Sequence, residues 1–153
     1  MTHPLCLFFA LLLFGAVLTK NQCTCRPALE QDWAHGANES VEIRGVTVKR
    51  IKGRVLDPHG GPIGDAIVEV FDYLSADEKQ SGYQVAESKK RRAACLADAD
   101  GQFCFSDLPG GKYVLKVGTR KPDGTNNTYM IVNLSRHCWR KSRNVEIRLN
   151  LGT

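Results

Sequence analysis

Between Gly53 and Val117 short apolar periods alternate with turn residues, and this stretch constrains the fold more than any other. It opens Gly53-Arg-Val-Leu-Asp-Pro-His-Gly-Gly-Pro-Ile-Gly-Asp-Ala-Ile-Val-Glu-Val-Phe. It closes Asp98-Ala-Asp-Gly-Gln-Phe-Cys-Phe-Ser-Asp-Leu-Pro-Gly-Gly-Lys-Tyr-Val-Leu-Lys-Val. From Asp57 to Pro62 the prolines fix φ and remove donors while the glycines supply positive φ, so the backbone reverses there. Ile51, Gly53 and Val55 share one face of the strand before this turn. Ala66, Val68 and Val70 share one face of the strand after it, with Ile67 and Phe71 on the other. Phe103 with Phe105, then Tyr113, Leu115 and Val117, continue the period of two.

The flanking segments carry the same signal. Val41 and Ile43 with Val46 and Val48, Ala93 to Ala97, Thr128 to Leu134, and Asn144 to Leu151 each read as a strand. No long helical period appears, although Ser75 could cap a short helix to Lys79 inside the irregular piece from Tyr73 to Lys90. Short strands at regular spacing predict an all-β fold, an antiparallel Greek-key β-sandwich of seven or eight strands.

Leu5 to Leu18 form one apolar run, too short to span a bilayer and suited to the core of a secretory signal peptide. The expected organisation is a signal peptide over residues 1–19, a cysteine-containing arm over 20–40 and the sandwich over 41–153. About 134 residues would remain after cleavage, enough for one domain with its own core. The expected location is secreted, periplasmic or at the cell envelope, with no stable membrane span after cleavage.

Five cysteines lie outside the apolar run: Cys23, Cys25, Cys95, Cys104 and Cys138. In an oxidising compartment some should pair. If Asp98-Ala-Asp-Gly closes a symmetric hairpin, Cys95 faces Cys104 and a short cross-strand disulfide is expected. A long-range bridge from Cys138 to Cys23 or Cys25 would tie the arm to the last strands. The odd fifth thiol stays free or pairs with another molecule.

The formal net charge is +5. Much of it comes from Lys89, Lys90, Arg91 and Arg92, with a second cluster from Arg136 to Arg143. These four residues are the candidate binding site, for an anionic glycan, a cell-envelope component or a protein. No aromatic residues interleave the run as a stacking platform would require, so nucleic acid is not an expected partner.

Little here points to catalysis or metal. Asp98, Asp100 and Asp107 lack the ligand spacing of a calcium loop, and Asp with Gly is what a tight turn demands. Cys23, Cys25, His137 and Cys138 do not form a paired zinc framework. His59 and His35 have no nucleophile or carboxylate partner nearby in sequence. No cofactor, metal or catalytic residue is expected.

Gly53-Arg-Val, Gly61-Pro-Ile-Gly-Asp-Ala-Ile-Val-Glu-Val, Asp98-Ala-Asp-Gly-Gln-Phe-Cys-Phe and Leu108-Pro-Gly-Gly-Lys-Tyr-Val-Leu-Lys-Val together resemble the carboxypeptidase regulatory-like domain. The likeness covers roughly residues 50–120. It implies a prealbumin-like, carbohydrate-binding-like β-sandwich and a non-catalytic module with a structural or binding role. The cysteines, the basic insertion before Cys95 and the amino-terminal arm depart from that family's usual form. Two other classes stand beside this one. A secreted enzyme of transthyretin-like shape would carry a carboxy-terminal Tyr-Arg-Gly-Ser, where this chain reads Asn150-Leu-Gly-Thr. A redox or metal-binding protein would be built on the cysteines.

Overall fold

The computed structural model describes residues 25–29, 39–73, 91–120, 127–135 and 143–149. They hold nine strands: β1 (Arg26–Pro27), β2 (Glu39–Val48), β3 (Ile51–Leu56), β4 (Ile67–Asp72), β5 (Ala93–Leu96), β6 (Gln102–Phe105), β7 (Gly111–Gly118), β8 (Asn127–Leu134) and β9 (Val145–Arg148). A six-stranded sheet runs β1-β5-β4-β7-β8-β2, and a three-stranded sheet runs β6-β3-β9. The expected all-β sandwich is therefore what the chain builds.

Two details refine the expectation of seven or eight antiparallel strands. Nine are present among the described residues, and two pairings are parallel, β2 with β8 and β3 with β9. Alternation records which face a residue takes, not the direction of the strand beside it. A bend at Lys49-Arg50 moves the chain from one sheet to the other, and each strand then meets a partner from far along the sequence. The expected helix from Ser75 to Lys79 and the signal peptide lie outside the described residues.

The core forms where the two inner faces meet. Ile51 and Val55 of β3, Phe103 and Phe105 of β6, and Val145 and Ile147 of β9 point inward from the small sheet. Val68 and Val70, Tyr113, Leu115 and Val117, and Met130 and Val132 meet them from the large one. The period of two assigns Ile51 and Val55, Val68 and Val70, Phe103 and Phe105, and Tyr113, Leu115 and Val117 to these faces. Each fully buried aliphatic side chain stabilises the fold by roughly 1.5–3 kcal/mol. Gly53 is needed because β3 and β9 approach closely there. A Cβ at that position would overlap the Val145 carbonyl and lie 2.9 Å from Phe103 Cζ.

The outer face of the large sheet is buried too. Phe71, Val114 and Tyr129 make a second apolar cluster, and Ile67 with Leu96 a third, against which Ala28 packs. β4 is consequently buried on both faces, which suits its run Ile67-Val-Glu-Val-Phe.

Candidate functional site

The strand registers gather the loops at two ends of the sandwich, and the ends differ in charge. β3 leaves at Leu56, close to where β4 starts, β5 finishes and β6 starts. That end carries the turns 57–66 and 97–101, with Asp57, Asp65, Asp98 and Asp100. Opposite it lie the Lys49-Arg50 bend, the 106–110 turn, the start of β9, and the chain around Tyr73 and Arg91.

At the acidic end the carboxylates hold the backbone. Asp57 Oδ1 accepts hydrogen bonds from the backbone N–H groups of His59 at 2.8 Å and Gly61 at 2.7 Å, while Gly60 takes φ 89°. Asp98 Oδ1 accepts from the N–H groups of Asp100 at 3.0 Å and Gln102 at 2.8 Å, and Gly101 takes φ 72°. This is local Asx chemistry that closes turns. Asp65, at φ 56°, pairs with Arg26 of the arm. Arg26 and Asp65 flank a half-open pocket of about 320 Å³ whose floor is Leu96 and Ala97. Among the described residues no group of three or more His, Cys, Asp or Glu side chains could hold a metal ion.

The cysteines correct one expectation. Cys95 bonds to Cys25, 70 residues away, with the two Cα atoms 5.9 Å apart. It does not bond to Cys104, because Asp98-Ala-Asp-Gly is a corner between sheets rather than a hairpin within one. β5 pairs with β4 and β1, whereas β6 pairs with β3, so Cys104 stands opposite Lys52. Cys104 is disulfide-bonded elsewhere. The option of Cys25 as partner to Cys138 falls with the same bond; Cys23 and Cys138 lie outside the described residues.

The Cys25–Cys95 bond fixes the arm on the edge of β5. β1 adds two paired positions there, and Ala28 N–H donates to Ala94 O at 3.3 Å. The arm and its neighbours also engage half of the basic run. Arg91 donates through Nη1 to Glu69 Oε1 at 3.0 Å and through Nη2 to Leu29 O at 3.1 Å. Glu69 is fully buried in the middle of β4, so Arg91 supplies the charge that its carboxylate needs there. Arg92 is exposed and pairs with Asp72 at 2.7 Å. The hydrogen bond it donates to Asp72, and then the charge of that carboxylate, raise its pKa above the ordinary arginine value. Lys89 and Lys90 lie outside the described residues.

Other cations collect away from the Lys89–Arg92 run. Ile51, Gly53 and Val55 point inward, so Lys52 and Arg54 stand on the outer face of the small sheet, and the exposed Arg50 lies on the bend before them. Arg143 precedes β9, and Arg148 ends it beside Leu56. Lys49 and Arg50 sit on the bend, where Asp107 across the next turn accepts a hydrogen bond from Ser106 Oγ at 2.8 Å. Lys112, on the large sheet, lies over the Tyr73 ring at 3.7 Å. The signal was present as Lys49-Arg-Ile-Lys-Gly-Arg54. The alternation that turns Ile51, Gly53 and Val55 inward turns Lys52 and Arg54 outward.

No family model matches the chain, and no curated protein does. Among solved structures, catechol 1,2-dioxygenase from Pseudomonas arvilla C-1 is similar at 13% identity and TM-score 0.38, over 82% of this chain and 62% of that one. Hydroxyquinol 1,2-dioxygenase from Pseudomonas putida DLL-E4 is similar at 12% identity and TM-score 0.39, over 88% of this chain and 68% of that one. Catechol 1,2 dioxygenase from Acinetobacter radioresistens is similar at 16% identity and TM-score 0.39, over 87% and 64%. The chain spans roughly two thirds of the length of these enzymes, from 62% to 68%. Identities this low concern the β-sandwich fold alone, and nothing about activity follows from them.

Proposed function

We propose that the chain is a secreted, non-catalytic β-sandwich module of carboxypeptidase regulatory-like type, with a binding role outside the cell or at its envelope. The observation that carries this reading is the engagement of the groups best suited to chemistry. Asp57 and Asp98 accept hydrogen bonds from their own turns, Asp65 and Asp72 pair with arginines, and Cys25, Cys95 and Cys104 are oxidised. A nucleophile, a base and an orienting group must converge on a shared site for hydrolysis. These residues instead support the backbone that presents the loops, and loops on a rigid sandwich are where recognition resides. The partner class is an anionic glycan, a cell-envelope component or a protein.

The test is a turnover screen of the purified, oxidised protein on ester, peptide and ureide substrates, with metal analysis of the same sample. The expected result is no turnover above buffer. Sustained turnover that is lost on substituting one of these carboxylates would overturn the proposal.

A further inference from the structure

We propose that the outer face of the β6-β3-β9 sheet is a docking surface for a linear anionic polysaccharide, sulfated or uronate-bearing. This rests on the reading of the chain as a binding module. Lys52 and Arg54 alternate with the inward residues Ile51, Gly53 and Val55, so they share the outer face of β3, and the exposed Arg50 sits on the bend just before them. Residues two apart on an extended strand are about 7 Å apart. Arg148, in register with Leu56, is exposed on the same side of β9 as Glu146 and adds a cation to this face, while the exposed Arg143 precedes β9. Glu146, in register with Arg54, is the acidic residue among the strand residues of this face.

None of these five cations forms an ion pair with a carboxylate among the described residues. Arg54 Nε donates to the Asp100 carbonyl at 3.1 Å, which steadies that guanidinium without neutralising it. Exposed like charges placed side by side repel, and nothing in the packing requires them, because the apolar side of β3 already faces the core. A polyanion lying along β3 would relieve that repulsion and release its own counterions.

The chemistry of the face selects among anionic partners. Among the described residues the exposed large apolar side chain is Leu29, on the arm beside the other sheet, so this face offers nothing to insert into a lipid bilayer. Phe103 and Phe105 point into the core, which removes the aromatic platforms that single-stranded nucleic acid stacks on. A protein partner would want an apolar centre within a polar rim. Lys52, Arg54, Gln102 and Arg148 supply charge and hydrogen-bond donors, beside the disulfide-bonded Cys104 that stands opposite Lys52. That suits a flexible chain with an anionic group on each sugar or two.

The experiment measures the affinity of the full oxidised protein for heparin and for alginate across a salt series. Duplex DNA and phosphatidylserine vesicles serve as competing anions. Arg50→Ser/Lys52→Ser/Arg54→Ser is compared with Arg26→Ser/Lys112→Ser/Arg120→Ser, which removes the same charge elsewhere. Glu146→Gln is a gain-of-binding variant. The wild type should bind at least one polysaccharide with a strong salt dependence. The row variant should lower the log–log salt slope by about one for each cation removed. The comparison variant should leave that slope near the wild-type value, and Glu146→Gln should tighten binding. Heparin alone, or alginate alone, identifies the anionic group. Equal loss in both triple variants would mean that net charge and not this face is responsible, and overturns the proposal. Binding of DNA or vesicles as tight as that of polysaccharide, and lost in the row variant, keeps the face but overturns the occupant. Failure to bind any polysaccharide overturns the docking surface while leaving the non-catalytic reading to its own turnover screen.

Discussion

Glu69 illustrates how a single residue sets conditions on those around it. It lies fully buried in β4, beside Ala94 on one neighbouring strand and Lys116 on the other, with the Arg91 guanidinium at 3.0 Å. A carboxylate taken from water costs several kcal/mol unless charge and hydrogen bonds replace the solvent. Arg91 is itself largely buried, so its pair with Glu69 is not a surface contact. Arg91→Met should lower the unfolding free energy by about 3 kcal/mol, read from urea denaturation, because the carboxylate is left with less compensation. Adding Glu69→Gln should restore part of that loss, since an amide needs no counter-charge. A loss below about 1 kcal/mol in the single variant would class the pair with exposed ones. Arg92 is the contrast one residue away: its exposed pair with Asp72 sets no such condition on the core.

At the scale of elements, the arm depends on its bond. β1 has two paired positions, far short of what a strand needs to hold itself on a sheet edge. Cys25–Cys95, Arg26–Asp65, the Ala28–Ala94 hydrogen bond and the Arg91 contact to Leu29 hold it there together. An arm in this position also covers the edge of β5, which would otherwise present unpaired backbone groups. Closing a loop of 70 residues should contribute about 4 kcal/mol through the unfolded chain. Cys25→Ser/Cys95→Ser should therefore lower the melting temperature. It should also raise amide exchange at Ala28 while Leu115 in β7 stays protected. Equal loss of protection at both would mean that the bond supports the whole sandwich and not the arm alone.

For the whole molecule, the outer face of the large sheet departs from a simple two-layer sandwich. Phe71 is buried against Val114 and Tyr129 on the side away from the core. Phe71→Ala should cost about 3–4 kcal/mol in unfolding free energy, the value for a packed aromatic; a solvated face would give well under 1 kcal/mol. The strands, their inward residues and the Asp57 and Asp98 turns were legible in the sequence, because alternation and turn chemistry are local. Each needs only the pleat of one strand or the φ of one glycine. The sandwich class follows from them. Strand order, the two parallel pairings and the corner at Asp98 are not local, since a corner and a hairpin use the same Asp and Gly. Tertiary structure alone decided that Cys95 meets Cys25 and not Cys104, because that choice depends on which sheet each strand joins. It likewise decided that Arg91 serves Glu69 while Arg50, Lys52 and Arg54 face solvent. Charge in a sequence carries no address until packing brings a carboxylate to one arginine and water to another.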